Sequence, residues 1–149
     1  MKKIFSLVLL MAALAFTYKA GAQIRKIPAE VTNAFSEKYA DAKNVEWKDK
    51  LSYFASTFEW KGDKYEAHFN KKGEWQSTEK EIQVSDLPSA VKDGFDKSKY
   101  TDWETKSVYS VDLPEDQVNY RIHVAKSSVQ KKILLFNAEG KLLKDNLTL

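Results

Sequence analysis

The feature that most constrains the fold of this chain is an internal repeat. Residues 27–39, which begin Ile-Pro-Ala-Glu-Val, align with residues 87–100, which begin Leu-Pro-Ser-Ala-Val, at an offset of 60 that becomes 61 at the last tyrosine. The stretch 69–73 aligns with 136–140 at an offset of 67, and Tyr53 matches Tyr120 at that same offset. Such self-similarity is typical of one supersecondary unit built twice. The sequence therefore predicts two units, over about residues 27–83 and 86–149.

Each unit has the pattern of one helix followed by four strands. Pro28 and Pro88 suit the first turn of a helix, where a missing N–H group loses no hydrogen bond. Val31 and Phe35 lie on one face of the first helix. Gly94 inside the second helix indicates either that a strand crosses closely there or that this helix is less stable, and we favour close packing. Apolar residues then alternate with polar ones between Asn- and Gly-containing turns, which indicates half-buried antiparallel strands. The predicted class is α+β, with the order α-β-β-β-β twice.

The first 22 residues have the pattern of a secretory signal peptide. A basic start, Met1-Lys2-Lys3, precedes 13 mostly apolar residues over 4–16 and the small-residue triplet Ala20-Gly21-Ala22. The apolar run is shorter than the roughly 20 residues that cross a bilayer. We therefore expect cleavage near Ala22, export to the periplasm or the exterior, no membrane insertion afterwards, and a single mature domain over residues 23–149.

Charge and composition exclude several classes of function. The whole chain has 24 Lys and Arg against 21 Asp and Glu, and removal of the leader takes away three lysines and no acid. The mature chain is then formally neutral, which argues against nucleic-acid binding. Cysteine is absent, which excludes disulfides, thiol nucleophiles and cysteine-ligated metals. The sequence contains no Gly-x-Ser-x-Gly nucleophile elbow, no His-Glu-x-x-His zinc motif and no Walker phosphate-binding loop. We therefore expect no enzyme activity and no cofactor.

The candidate binding residues lie on the polar side of the predicted strands. Glu66 and His68 share one strand face, as do Arg121 and His123. The alternatives are a histidine held by a carboxylate or a solvated polar position, and a zinc site would need three or four ligands brought together. Trp75 is either an exposed interface anchor on the face of Ser77 or a lid over the hairpin end. The neighbouring acids, Glu74, Glu79 and Glu81, are interpreted as a solvated, charge-balanced strand face rather than as paired catalytic acids.

Several of these motifs carry a resemblance to a known family. They are the Ile/Leu-Pro-x-x-Val-x-x-x-Phe helix opening, the stretch Tyr39-x-x-Ala42-x-x-Val45-x-Trp47, and the hairpin ending in Gly73-Glu74-Trp75. With the leader, they make the chain similar to the PepSY-like, β-lactamase-inhibitor-protein-like exported proteins of Bacteroidetes. The resemblance implies one curved antiparallel sheet shared by both units, two helices on one face, and an opposite face free to bind. The inhibitor repeats carry disulfides, and this chain does not.

The functional hypothesis is an exported, non-catalytic binding module. We expect its exposed sheet face to hold a protein or peptide, as an inhibitor of, or an accessory to, a periplasmic or secreted enzyme. The expected assembly is a monomer or weak dimer. The alternative hypothesis is a periplasmic protein that binds a small ligand or a metal through His68 and His123.

Overall fold

The computed structural model describes residues 26–147, so the predicted leader lies outside the described residues. A helix followed by four strands occurs twice in this part of the chain, which is compatible with a tandem repeat. The elements are α1 (Ala29–Lys38), β1 (Lys43–Asp49), β2 (Tyr53–Trp60), β3 (Asp63–Asn70), β4 (Trp75–Ile82), a 3₁₀ turn (Val84–Asp86), α2 (Ser89–Asp96), β5 (Glu104–Asp112), β6 (Val118–Ala125), β7 (Lys131–Asn137) and β8 (Leu142–Leu147).

The eight strands form one open antiparallel sheet in chain order, which confirms the predicted fold class. Strands β4 and β5 join the two halves, with Thr78 opposite Asp112 at one end of the pairing and Ile82 opposite Val108 at the other. Strands β1 and β8 are the edges. Within residues 26–147, neither helix has the length and apolar character needed to span a bilayer.

The first core forms between α1 and the first four strands. The α1 helix begins at Ala29, and the carbonyl of the preceding residue, Pro28, accepts the N–H of Val31 at 3.1 Å. Val31 and Phe35 are the buried residues of this helix, as its apolar stripe predicted. Phe35 meets Phe58 edge to face, with ring centroids 4.9 Å apart, a favourable aromatic geometry. The buried members of this core are Val31, Phe35, Tyr39, Phe54, Phe58, Ala67 and Phe69.

The second core is built in the same way around α2. Its buried members are Leu87, Val91, Tyr100, Val108, Ile122, Val124, Leu134 and Phe136. Gly94 brings α2 against the turn between β7 and β8, since a Cβ added at Gly94 would lie 2.0 Å from the carbonyl oxygen of Gly140. The close contact predicted at Gly94 is therefore confirmed, and its partner is a hairpin turn.

Both cores lie on one side of the sheet, here called the helix face; the other side is called the open face. On the helix face, the first core is separated from the second by polar residues where β4 pairs with β5: Thr78 lies opposite Asp112, and Lys80 opposite Ser110. Strand positions alternate between the two faces. The open face consequently carries the polar positions of the central strands, Glu66, Glu79 and Arg121 among them.

Candidate functional site

A cavity of about 480 Å³ lies on the open face. Side chains from β1 to β6 surround it, so it extends across the middle of the sheet rather than along one hairpin. Acidic and basic residues are mixed in its lining, which is Glu46, Lys48, Thr57, Lys64, Tyr65, Glu66, Glu79, Glu81, Tyr109, Arg121 and His123. We take this cavity as the candidate site, because concave sites with a few convergent polar groups are where ligands usually bind.

An ion pair between Arg121 and Glu79 is the central electrostatic feature of the cavity. Arg121 lies on β6 and Glu79 on β4, so the pair passes over β5 and links the two halves of the sheet. The side chains retain only 25% and 14% exposure, respectively. Burial lowers the pKa of Arg121, and the nearby Glu66 carboxylate opposes that shift. The guanidinium still keeps its charge, since arginine does not lose its proton in proteins.

Tyr109 and His123 complete the second-half side of the cavity. The guanidinium carbon of Arg121 lies 5.6 Å from the ring centroid of Tyr109, within the range of a cation–π contact. Tyr109 also packs against the imidazole of His123, with centroids 5.3 Å apart. Burial lowers the pKa of His123 below its ordinary value, and the charge of Arg121 lowers it further. Within residues 26–147, the Nε2 atom of His123 is buried and has no hydrogen-bond partner.

On the first-half side, three residues form a hydrogen-bonded chain. His68 Nε2 lies 2.8 Å from a carboxylate oxygen of Glu66, and Ser77 Oγ lies 3.1 Å from His68 Nδ1. The carboxylate accepts the Nε2 proton, which leaves Nδ1 to accept the serine hydroxyl proton. A carboxylate, imidazole and hydroxyl in series occur in hydrolases. Here Ser77 lies within a strand and is only 8% exposed, so a substrate carbonyl has little room to reach its Oγ.

Trp75 lies on the opposite face from the one predicted. Simple alternation along β4 places it with Ser77, but the register of β3 and β4 shifts between His68 and Phe69. This bulge puts Trp75 opposite Phe69 on the helix face, where it packs against the first core. The prediction that Trp75 shares a face with Ser77 is wrong. Its position fits the alternative interpretation, in which it covers the end of the hairpin.

The structure brings three predicted site residues, Glu66, Arg121 and His123, around the same cavity. His68 joins them through its contact with Glu66. His68 and His123 lie on β3 and β6, three strand spacings or roughly 14 Å apart across the sheet and displaced further along the strands, so they do not converge on one metal ion. Within the described residues, no group of three or more His, Asp or Glu side chains is placed to hold a metal.

Two important residues of the site were missed by the sequence analysis. Glu79 was interpreted as part of a solvated strand face, whereas it is largely buried and paired with Arg121. Tyr109 was not singled out at all. Both lie at alternate strand positions that face away from the helices, and this alternation was the available signal. Their neighbours depend on the order of strands in the sheet, which alternation does not reveal.

The fold and the cavity define a class: an open antiparallel sheet with helices on one side and a polar concave site on the other. The family model described as "Putative beta-lactamase-inhibitor-like, PepSY-like" matches residues 52–144. The chain belongs to this PepSY-like family. Among curated proteins, none matches it.

Solved structures with the same fold come from Bacteroides. A protein of the DUF2874 family from Bacteroides ovatus is 27% identical with a TM-score of 0.74, over 82% of this chain and 88% of that one. A protein of Bacteroides eggerthii described as periplasmic is 25% identical with a TM-score of 0.73, over 82% and 89%. A BLIP-like protein from Bacteroides fragilis is 24% identical with a TM-score of 0.73, over 85% and 90%. The last likeness is one of fold alone.

Proposed function

We propose that this protein is an exported, non-catalytic binding module that holds a protein or peptide against its open face. The observation that carries the proposal is the Arg121–Glu79 pair, which is largely buried on a face that neither helix core covers. Export is supported by the leader-like residues 1–22 and by the description of the Bacteroides eggerthii neighbour as periplasmic. Inhibition of an exported enzyme is the first activity to assay, given the beta-lactamase-inhibitor-like description of the matching family model.

The chemistry of the site favours a macromolecular partner. Arginine and tyrosine are enriched among the residues that dominate protein interfaces, especially near the centre of the contact. Glu79 and Tyr109 already hold Arg121 in place, so binding costs less side-chain entropy. The mixed charges of the lining, with Lys48 and Lys64 beside four glutamates, suit a partner segment that carries both signs of charge.

The non-catalytic part of the proposal is supported by the environment of the serine–histidine pair. Acyl transfer needs preorganised donors at the developing oxyanion as well as a nucleophile and a base. Ser77 is part of the paired sheet, directly opposite His68, and its low exposure separates Oγ from the cavity. The chain of hydrogen bonds is better explained as the support that fixes the orientation of Glu66.

The test is crosslinking and affinity capture from the exported fraction of the source cells, with variants that separate the two faces. Thr57→Arg places a long side chain in the cavity, and Asn33→Arg places the same side chain on the exposed surface of α1. We expect one specific partner with the wild type and N33R, and at least a tenfold lower yield with T57R. Circular dichroism checks that both variants fold. Equal capture by both variants would contradict the proposal.

A further inference from the structure

A second cavity, of about 380 Å³, lies on the helix face where the two cores are separated. The end of α1 and the loop that connects β5 to β6 form opposite sides of it. Its base includes Thr78 and Asp112, which pair across the junction of β4 and β5. The two cavities therefore lie on opposite faces of the sheet, and Tyr65 of β3 is the one described residue that lines both.

Aromatic side chains form one side of this cavity: Trp60, Tyr65 and Trp75. Both indoles are held in place, because Trp60 Nε1 donates to the carbonyl oxygen of Ala40 at 3.0 Å and Trp75 Nε1 donates to Thr78 Oγ1 at 2.8 Å. These hydrogen bonds use the ring edges, which leaves the ring faces to cation–π contacts. An electron-rich ring face of this kind attracts cations, and tryptophan does so most strongly.

Two lysines of the protein already lie over these indoles, Lys61 over Trp60 at 4.0 Å and Lys38 over Trp75. The ammonium of Lys38 lies 3.7 Å from the ring centroid of Trp75 and 5.9 Å from that of Tyr39. Lys38 is an exposed residue at the end of α1, so its side chain is free to leave. The contact shows that an alkylammonium group fits against the aromatic side of the cavity.

Carboxylates form the other side. Asp112 lines the cavity from the end of β5, and Glu115 and Asp116 line it from the β5–β6 loop. None of the three forms an ion pair with a Lys or Arg within residues 26–147. Glu115 and Asp116 both have left-handed backbone conformations, with φ of 61° and 55°, which are uncommon for residues other than glycine. The three carboxylates outweigh the single positive charge of Lys38 in the lining.

We propose that this cavity binds a primary alkylammonium group, supplied by a lysine side chain of a peptide or by a small free amine. The ammonium takes the place of Lys38 on Trp75, the alkyl stem lies against Trp60 and Tyr65, and the carboxylates of Glu115 and Asp116 balance the charge. This site is distinct from the open-face site and does not depend on the function proposed for it.

The direct test is titration with two amines and one neutral analogue, followed by tryptophan fluorescence and calorimetry. Nα-acetyl-lysine methylamide represents the peptide source, and cadaverine represents the free amine. Nα-acetyl-norleucine methylamide has a similar stem without the charge. We expect saturable binding of at least one amine, with at least a tenfold weaker response to the neutral analogue. Equal binding of the neutral analogue, or no saturable binding of either amine, would overturn the proposal.

Variants then locate the binding. Lys38→Met keeps a stem but removes the competing ammonium, so it should tighten amine binding at least threefold. The double variant E115Q/D116N should weaken binding at least fivefold. D93N/D96N makes the same change in net charge on exposed residues of α2 that do not line the cavity, and it should change binding less than twofold. Equal losses in the two double variants would show nonspecific charge attraction and would also overturn the proposal.

Discussion

At the scale of single residues, the Arg121–Glu79 pair stabilises the fold as well as the site. Removing one partner leaves the other charge in a poorly solvated position, which is costly in a buried pair. Because both side chains keep some exposure, we expect R121M to lower the free energy of unfolding by about 2 kcal/mol. The double variant R121M/E79Q should lose less than R121M alone, since the remaining side chain is neutral. Urea unfolding measures both values.

The matched control for this prediction is the Lys106–Glu104 pair on β5. Its side chains are 50% and 70% exposed, and surface pairs contribute little. K106M should therefore change the free energy of unfolding by less than about 0.5 kcal/mol. If R121M lowered the free energy of unfolding no more than K106M does, the Arg121–Glu79 pair would have to be well solvated, which would contradict the prediction.

His123 gives a pH-dependent prediction. Burial, followed by repulsion from Arg121, lowers its pKa below the ordinary value of 6.5, although Glu81 acts in the opposite direction. The unfolded chain therefore binds a proton at His123 more tightly than the folded chain does. The contribution of the neutral imidazole to the free energy of unfolding is complete above pH 6.5 and is lost as the pH falls through the folded-state pKa. The wild type should lose more stability than H123Q between pH 7.5 and 5.5. An NMR titration midpoint of His123 at or above 6.5 would contradict this reasoning.

At the scale of elements, glycine sets how closely α2 approaches the β7–β8 turn. Alanine inside a helix is normally more stable than glycine by up to about 1 kcal/mol. At Gly94 the sign should reverse, because the added Cβ would meet the Gly140 carbonyl oxygen at 2.0 Å. We expect G94A to destabilise the protein by about 2 kcal/mol, the range of an overpacked core. Thermal and urea unfolding check this value.

Gly62 and Gly140 are the comparison for that prediction. Both have positive φ, but a Cβ at Gly62 meets nothing within 4 Å, whereas one at Gly140 would lie 1.9 Å from the carbonyl oxygen of Ala90. G62A should therefore lower the free energy of unfolding only by the cost of positive φ in a non-glycine residue, about 1 kcal/mol. G140A should lower it considerably more, because its Cβ also meets the Ala90 carbonyl. If G94A and G140A were no worse than G62A, the close helix–turn contact would be disproved.

The elements also show where sequence reasoning succeeded and where it failed. Helix starts and strands follow from proline position and periodicity, which are local properties, and these predictions are confirmed. A β-bulge shifts the alternation of side chains between the two sheet faces by one residue, and no local sequence pattern reveals it. The sequence analysis therefore placed Trp75 on the wrong face. The repeat alignment is also off by one residue, although no bulge interrupts these pairings: Phe54 pairs with Phe69 as Tyr120 pairs with Phe136, so Phe54 is the equivalent of Tyr120, and Tyr53 is not.

At the scale of the whole molecule, the open-face site is a product of strand order. Glu79 and Arg121 are 42 residues apart in the sequence and meet because β4, β5 and β6 are adjacent. No local pattern in the chain specifies that the fourth and fifth strands pair. The same junction separates the two cores on the helix face and contains the second cavity. Both candidate sites thus lie where the two halves meet, on opposite sides of the sheet.

This arrangement predicts that the two halves differ in local stability. Each core has its own helix, and polar residues separate the cores on the helix face, so destabilising one core should open its own half first. Val31 and Val91 are both fully buried, 60 positions apart, and each alanine variant removes two methyl groups, worth about 2 kcal/mol. V31A should lower amide hydrogen-exchange protection more in β2 and β3 than in β6 and β7, and V91A should do the reverse. Equal loss of protection in both halves for both variants would show instead that the sheet opens only as one unit, with the β4–β5 pairing and the Arg121–Glu79 pair strong enough to couple the cores.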